Sequence, residues 1–412
     1  LPGAETTDSQ SPATAACSPH SGQDVHCARA WLALAHTKPF GLAAAQRLLE
    51  RFGGACAVLA QPLELLAGVV GGARAQALKT GSTERERHIE RALSWARTPG
   101  QHLITRADPR FPRALALIPD PPLVLFVRGD PMSLSRPTLA IVGSRHASRD
   151  GLSLARELAA QLAACGTVIV SGLATGIDSA AHQGALCAGG LTVAFVGTGA
   201  DLIYPRRNQS LAQEVMVRGA VVSELPLGSP PVHHHFPQRN RLIAGLSAAT
   251  VVIQAARHSG SLITARLAAE FGREVMAIPG SVHSPLSKGC HQLIREGAAL
   301  VEDAAEIKPL LSAALERMGF DPPPGLSVAT GSDSPPSTEF RPLSLLSADA
   351  VCVLKALSWS PADPDLLAKS AQLSSAQTAA ALVELELSGL AERMVDGRFQ
   401  RLASQARPSH IP

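Results

Sequence analysis

The stretch Leu139-Ala-Ile-Val-Gly-Ser-Arg145 decides how the rest of the chain is read. A short apolar run stops at Gly143 and small polar residues, and a segment of helical composition, Asp150 to Cys165, follows. Short strand, glycine-bearing turn and helix make the unit of a parallel α/β sheet, whose strands are covered on both faces and therefore read as continuous apolar runs. Such a turn aims backbone N–H groups from a helix N-terminus, where a phosphate is stabilised.

Four further runs repeat the pattern. Thr167–Val170 leads into Ser171-Gly-Leu-Ala-Thr-Gly-Ile-Asp178, and Leu191–Val196 into Gly197-Thr-Gly199. Thr250–Ile253 leads into Ser259-Gly-Ser-Leu-Ile-Thr264, and Glu274–Ile278 into Pro279-Gly280. In an open parallel sheet these turns all lie at the carboxyl edge, where ligands bind. The predicted fold class is α/β, a doubly wound parallel sheet centred on 139–303 with helices on both faces. Helices are expected at Gly151–Ala164, Ile177–Ala188, Gln209–Arg218, Arg239–Leu246, Leu262–Phe271 and Cys290–Glu296.

Outward from that centre, His102–Thr105 and Leu123–Val127 are short apolar runs between Pro-rich turns and are expected to add strands beside the main sheet. Ala28–Ala96 carries amphipathic helical pieces with Phe52-Gly-Gly54 as a stop, so a small helical domain is expected at 25–98. The main domain is assigned to 99–319. The Ser/Thr/Pro/Ala-rich start, 1–24, reads as a disordered tail, and 320–344 as a Pro/Ser-rich linker. From 345 to 403 the periodicity returns as three helices and two short strands with Asp396-Gly397 as the turn, the outline of a winged helix-turn-helix, and 404–412 is a tail.

Composition limits the function classes. With 412 residues and 46% hydrophobic content the chain can bury several cores. The net charge of +3 is too small to indicate a polyanionic partner by itself, so an anion-binding surface must be a local patch. The seven cysteines include no Cys-x-x-Cys pair, which fits free thiols in a reducing cytosol. No apolar run approaches about 18 residues, so no membrane span is expected. Leu1–Asp24 has neither the basic nor the apolar region of a signal peptide.

The candidate site follows from the turns. Gly143, Ser144 and Arg145 combine close backbone approach, a hydroxyl and a forked cation. Ser171, Gly172 and Gly176 precede a helix, as do Ser259, Gly260, Ser261 and Thr264; Gly197 and Gly199 form a weaker turn without the third glycine of a dinucleotide fingerprint. Phe236, Arg239, Asn240 and Arg241 open another helix with an aromatic ring and two guanidinium groups, a mixture suited to nucleic acid. Each of these is also compatible with an ordinary solvated turn. Asp178 and His182 share a helix face, read as a helix-start acid beside a surface histidine rather than an acid–imidazole pair. His233-His234-His235 reads as an exposed loop, because three adjacent histidines cannot all face one ion; no metal or other cofactor is expected. Phosphate-loop, nucleophile-elbow and zincin motifs are all missing, so no catalytic set emerges from spacing.

These motifs in this order resemble the DprA/Smf family, the DNA-processing proteins of natural transformation. The matching segments include Ile141-Val-Gly-Ser-Arg145, Val170-Ser-Gly-Leu-Ala174, Gly176-Ile-Asp178, Tyr204-Pro205, Ser223-Glu224, Phe236-Pro237, Arg239-Asn-Arg241 and Ser259-Gly-Ser-Leu-Ile-Thr264. The resemblance implies an extended Rossmann fold with accessory domains, a SAM/helix-hairpin-helix-like one in front and a winged helix behind. It implies a cytoplasmic homodimer that binds single-stranded DNA, shields it from nucleases and helps load the RecA recombinase, with no catalytic activity. Carried over by position, Gly143, Ser144, Arg145, Ser171, Gly172, Arg239, Asn240, Arg241 and Ser261 fall in the family's DNA-binding motifs. Thr175 departs from the family, which usually has arginine there. Two other readings remain at this point: a nucleotide phosphoribohydrolase of the lysine-decarboxylase-like group, whose Pro-Gly-Gly-x-Gly-Thr-x-x-Glu motif has no match here, and a duplex-DNA regulator acting through the winged helix.

Overall fold

A computed structural model describes residues 22–38, 40–326, 346–357, 362–388, 390–394 and 397–401. Residues 1–21 of the tail expected at 1–24, the tail at 404–412, most of the expected linker and Asp396 of the expected turn lie outside these residues; the last three residues of the expected N-terminal tail, 22–24, are not a tail but the first turn of a helix, Gly22–His36. The chain divides into a large N-terminal unit and a small C-terminal one.

The large unit begins with helices α1 Gly22–His36, α2 Leu42–Phe52, α3 Ala55–Ala60, α4 Leu63–Val70, α5 Gly72–Thr80 and α6 Thr83–Trp95. Their apolar faces meet around Leu32, Leu48, Leu66 and Ile89, each no more than 1% exposed. Phe126, Ala200 and Leu227 of the following domain join the same cluster, so the helical domain packs onto the sheet domain. Ser82 starts α6 by accepting the Arg85 N–H at 3.1 Å, which satisfies one of the helix's orphan donors.

Next come β1 Gln101–Thr105, α7 Arg113–Ala116, β2 Val124–Gly129, β3 Thr138–Gly143, α8 Arg149–Ala164, β4 Val168–Ser171, α9 Ile177–Cys187, β5 Thr192–Phe195, α10 Gln209–Arg218 and β6 Ala220–Ser223. The unit continues through α11 His235–Leu246, β7 Ala249–Ile253, α12 Ser261–Glu270, β8 Glu274–Ala277, α13 Lys288–Arg295, β9 Ala299–Leu300 and α14 Ala304–Arg317. One sheet holds all nine strands in the order β1-β2-β6-β5-β4-β3-β7-β8-β9. From β6 to β9 every neighbouring pair is parallel, while β2 joins β6 and β1 joins β2 antiparallel. The expected parallel sheet is therefore present, extended on one side by an antiparallel pair.

Strand β3 shows why the opening stretch reads as it does. Leu139 and Ile141 face one core, and Ala140 and Val142 face the other. Successive side chains on a strand point to opposite faces, so a strand covered on both sides must be apolar throughout. Burying each of the larger side chains contributes about 1.5–3 kcal/mol. The chain leaves β3 toward β4 and later returns to its other side as β7. The connections thus run in opposite directions from β3 and β7, which opens a crevice at their carboxyl ends.

Packing continues past the expected linker start: Leu326 is fully buried in the core that also holds Leu139 and Ile141. The small unit comprises α15 Ala348–Ala356, α16 Pro364–Ala371, α17 Ser375–Leu387, β10 Ala391–Arg393 and β11 Phe399–Arg401, the last two pairing antiparallel. Its core gathers Val353, Leu367, Leu382, Leu385 and Phe399. Ser374 and Gln377 form a reciprocal cap at the start of α17. That helix has no lysine or arginine, and Ala376, Ala380 and Leu387 are exposed on it.

Candidate nucleic-acid interface

The loops after β3, β4, β5 and β7 emerge together at the carboxyl edge, and their glycines interlock. A side chain at 143 would run into the Ile253 carbonyl, one at 172 into the Arg239 guanidinium, and one at 197 into the Phe236 ring. From sequence alone this close approach is expected to serve a ligand. At Gly143, Gly172 and Gly197 the space is instead taken by the protein itself. Gly176 caps α9 at φ 80°, a left-handed conformation that only glycine adopts without cost, with Ser144 O beside it.

The hydroxyls brace the same loops. The Ser144 hydroxyl accepts the His146 N–H at 3.1 Å while its backbone N–H donates to Gln254 O at 2.7 Å, and Ser171 donates its hydroxyl to Ile141 O at 2.7 Å. Ser259 and Ser261 share a hydroxyl hydrogen bond of 2.7 Å, and Thr264 is 1% exposed. Asn240 donates to Gly260 O at 3.2 Å, linking the start of α11 to the loop after β7. Gly199 is buried, and Gly260 is exposed.

Two of the three arginines face inward, contrary to expectation. Helix α11 starts at His235, four residues before the expected Arg239, so Arg239 shares a buried stripe with Leu242, Ile243 and Leu246. Its Nη1 donates to Gly172 O at 2.6 Å and also to Phe195 O. The carboxylate of Asp178 lies in the same interior, accepting the N–H groups of Gly172 at 3.1 Å and Ala174 at 3.4 Å. Burial pushes the Asp178 carboxyl up and the positive Arg239 pulls it back; burial brings Arg239 down to about 10, against the pull of Asp178. Arg241 pairs with Glu224, whose carboxyl is raised by burial and lowered in turn by Arg241. Neither guanidinium is disposed as a free phosphate contact.

Arg145 is the exposed one. Its guanidinium lies 5.5 Å from the centroid of the Phe236 ring, a cation–π distance. Phe236 in turn meets Tyr204, ring centroids 5.9 Å apart and planes tilted by 43°. Tyr204, the single tyrosine of the chain, is 46% exposed. Tyr204-Pro205 is among the family-like motifs of the sequence but not among the expected site residues; its signal is a lone tyrosine just before Arg206 and Arg207 in a chain with 3% aromatics. Thr175 anchors the Arg145 loop by donating to the Arg145 carbonyl at 3.3 Å.

Two histidine readings are settled by burial. The surface histidine expected at 182 has no exposed area, because α9 packs it against β5, where its ring meets Thr192. Thr192 donates its hydroxyl to Ile169 O, so the 2.6 Å contact must be a donation from His182 Nδ1, and burial lowers this ring to about 3. His233 and His234 are exposed, as expected of that loop. Among the described residues no group of three His, Cys, Asp or Glu is arranged to hold a metal ion. No described helix is long and apolar enough to cross a membrane.

The family model for DNA recombination-mediator protein A matches residues 102–312, and the DprA winged helix domain model matches 335–397. The chain is 46% identical over 220 residues to protein Smf of Escherichia coli K12, which covers 53% of this chain and 59% of that protein, less than two thirds of its length. It is 46% identical over 200 residues to DNA processing protein DprA of Streptococcus pneumoniae, covering 48% of this chain and 71% of that one. The X-ray structure of DNA processing protein A from Streptococcus pneumoniae is similar with a TM-score of 0.61 and 35% identity, over 68% of this chain and 96% of the other. A dense match through the sheet domain, a second through the winged helix, and a shared fold lead to one conclusion: the chain belongs to the DNA recombination-mediator protein A (DprA/Smf) family.

Proposed function

We propose that this chain is a DNA-processing protein that binds single-stranded DNA without altering it, along the carboxyl edge of its sheet. The row Arg145–Phe236–Tyr204 carries the reading. An exposed guanidinium suits a phosphate, and the adjacent rings, Tyr204 exposed and Phe236 half-buried, suit unstacked bases, which single strands offer and duplexes hide. The buried Arg239 and Asp178 and the half-buried pair of Arg241 and Glu224 hold the loops that present this row. Of the original site residues, Arg145, Phe236, Asn240 and Gly260 are assigned to the strand-facing side. Gly143, Ser144, Ser171, Gly172, Gly176, Gly197, Gly199, Ser259, Ser261 and Thr264 shape it from behind.

Family membership supports extending the reading to protection of incoming DNA and loading of the RecA recombinase during natural transformation, by a cytoplasmic homodimer. Titration of a labelled oligo-dT strand and its duplex at several salt concentrations tests the core of the proposal. Single strand should bind more tightly, with affinity falling linearly in log salt. Equal affinity for both forms, or no salt dependence, would overturn it.

A further inference from the structure

Beside the aromatic row, between the β3–α8 loop and α9, lies a cleft of about 330 Å³. Three arginines line it, Arg145, Arg156 and Arg207, together with Leu152, Ala180 and Gln183. No aspartate or glutamate is among its described lining residues. None of the three guanidinium groups has a carboxylate partner among the described residues. Arg156 donates to Gln183 Oε1 at 3.2 Å, so α8 and α9 hold these two side chains against each other.

This lining is complementary to one chemical class. Guanidinium groups are permanent cations that fork onto phosphate oxygens. A phosphodiester has one negative charge, whereas a phosphomonoester has about −1.5 to −2 at neutral pH. Three cations uncompensated by any acid favour the monoester. The volume is at the lower end of the roughly 300–1,000 Å³ typical of small-molecule sites, which fits a single nucleotide and not a run of them. Leu152 and Ala180 supply an apolar wall for a base or sugar, and Gln183 has an amide to spare for its edge.

We propose that this cleft holds one nucleotide by a terminal phosphomonoester, so that the protein distinguishes phosphorylated strand ends, or free nucleotides, from continuous strand. The proposal rests on the single-strand reading above for the strand-end source only. The full chain is titrated with a labelled oligo-dT strand carrying a 5′-phosphate, the same strand with a 5′-hydroxyl, circular single-stranded DNA, and free thymidine 5′-monophosphate. The expected result is about tenfold tighter binding of the phosphorylated strand, the size of one charge-assisted hydrogen bond. Arg156→Ala should abolish that preference and leave the 5′-hydroxyl strand bound as before; Arg207→Ala, also at an exposed residue, is the second variant.

Preference lost in both variants identifies a strand end as the source. Saturable binding of the free nucleotide that both variants weaken identifies the mononucleotide instead, and supports the cleft even if no strand binds. Equal affinity for the phosphorylated, hydroxyl and circular strands, with no nucleotide bound, overturns the cleft proposal while the single-strand reading stands.

Discussion

Arg239 reaches from α11 to the carbonyl oxygen of Gly172, 2.6 Å from its Nη1 atom, and so ties the loop after β4 to the helix that follows β6. The same nitrogen serves Phe195 O at the end of β5. One buried cation therefore holds two of the loops that form the carboxyl edge, with Asp178 supplying the balancing charge.

Arg239→Ala should act on stability. It leaves two buried carbonyls without their donor and a buried carboxyl without its cation, a loss of about 3–5 kcal/mol. The urea midpoint is expected to fall with little change in slope. Unchanged stability with binding lost would return Arg239 to the role of a direct phosphate contact.

Arg145→Ala should behave in the opposite way. The side chain is exposed and has no carboxylate partner among the described residues, so the change in stability is expected within about 0.5 kcal/mol. Binding of a single strand should weaken, and the slope of log affinity against log salt should shrink by about 0.7, one phosphate contact. An unaltered slope would remove Arg145 from the interface.

The contrast between these arginines marks how far the sequence could be read. The strand-and-turn runs were legible because a strand covered on both faces must be apolar throughout, as Leu139–Val142 is. The place of the candidate site at the carboxyl edge follows from topology alone. The orientation of Arg239 did not, because α11 begins at His235 and not at Arg239. Pro237 was the missed cue: proline is tolerated in a first helical turn, where its missing N–H is not needed, and this puts Arg239 in the second turn. Glu224, from the loop after β6, and Asp178, from the first turn of α9, neutralise Arg241 and Arg239, and no local pattern predicts pairing across such separations.

Tyr204→Ala and Phe236→Ala should each weaken single-strand binding. Stacking of a base on an aromatic ring contributes about 1–3 kcal/mol, or roughly 5- to 150-fold in affinity. The two substitutions should differ in stability. Tyr204 is 46% exposed and its loss should be nearly neutral, whereas the Phe236 ring covers Gly197 and its loss should also destabilise. Fluorescence anisotropy and urea unfolding on both variants check the pair. Unchanged affinity of Tyr204→Ala would exclude its ring from the platform.

Acid should destabilise the fold through neutral histidines held out of water, and the half-buried His36, whose Nε2 is buried, is one such case. Its ring stacks on His88 at 6.0 Å and meets Phe126 edge-on at 6.4 Å. Burial first, and the charge of His88 second, lower it from the usual 6.5 to about 4. In the unfolded chain the same ring titrates near 6.5. Between these two values the unfolded state binds a proton that the folded state does not. The stability His36 contributes is therefore complete above about pH 6.5 and is lost as pH falls toward about 4, at up to about 1.4 kcal/mol per pH unit. His182, lowered to about 3, acts with the same sign over a wider window. Urea midpoints measured from about pH 7.5 down to about pH 4.5 should fall, and His36→Leu should flatten the decline. A midpoint independent of pH across that window in the unsubstituted protein would mean that these rings take up protons without unfolding, and the burial assigned to them would be wrong.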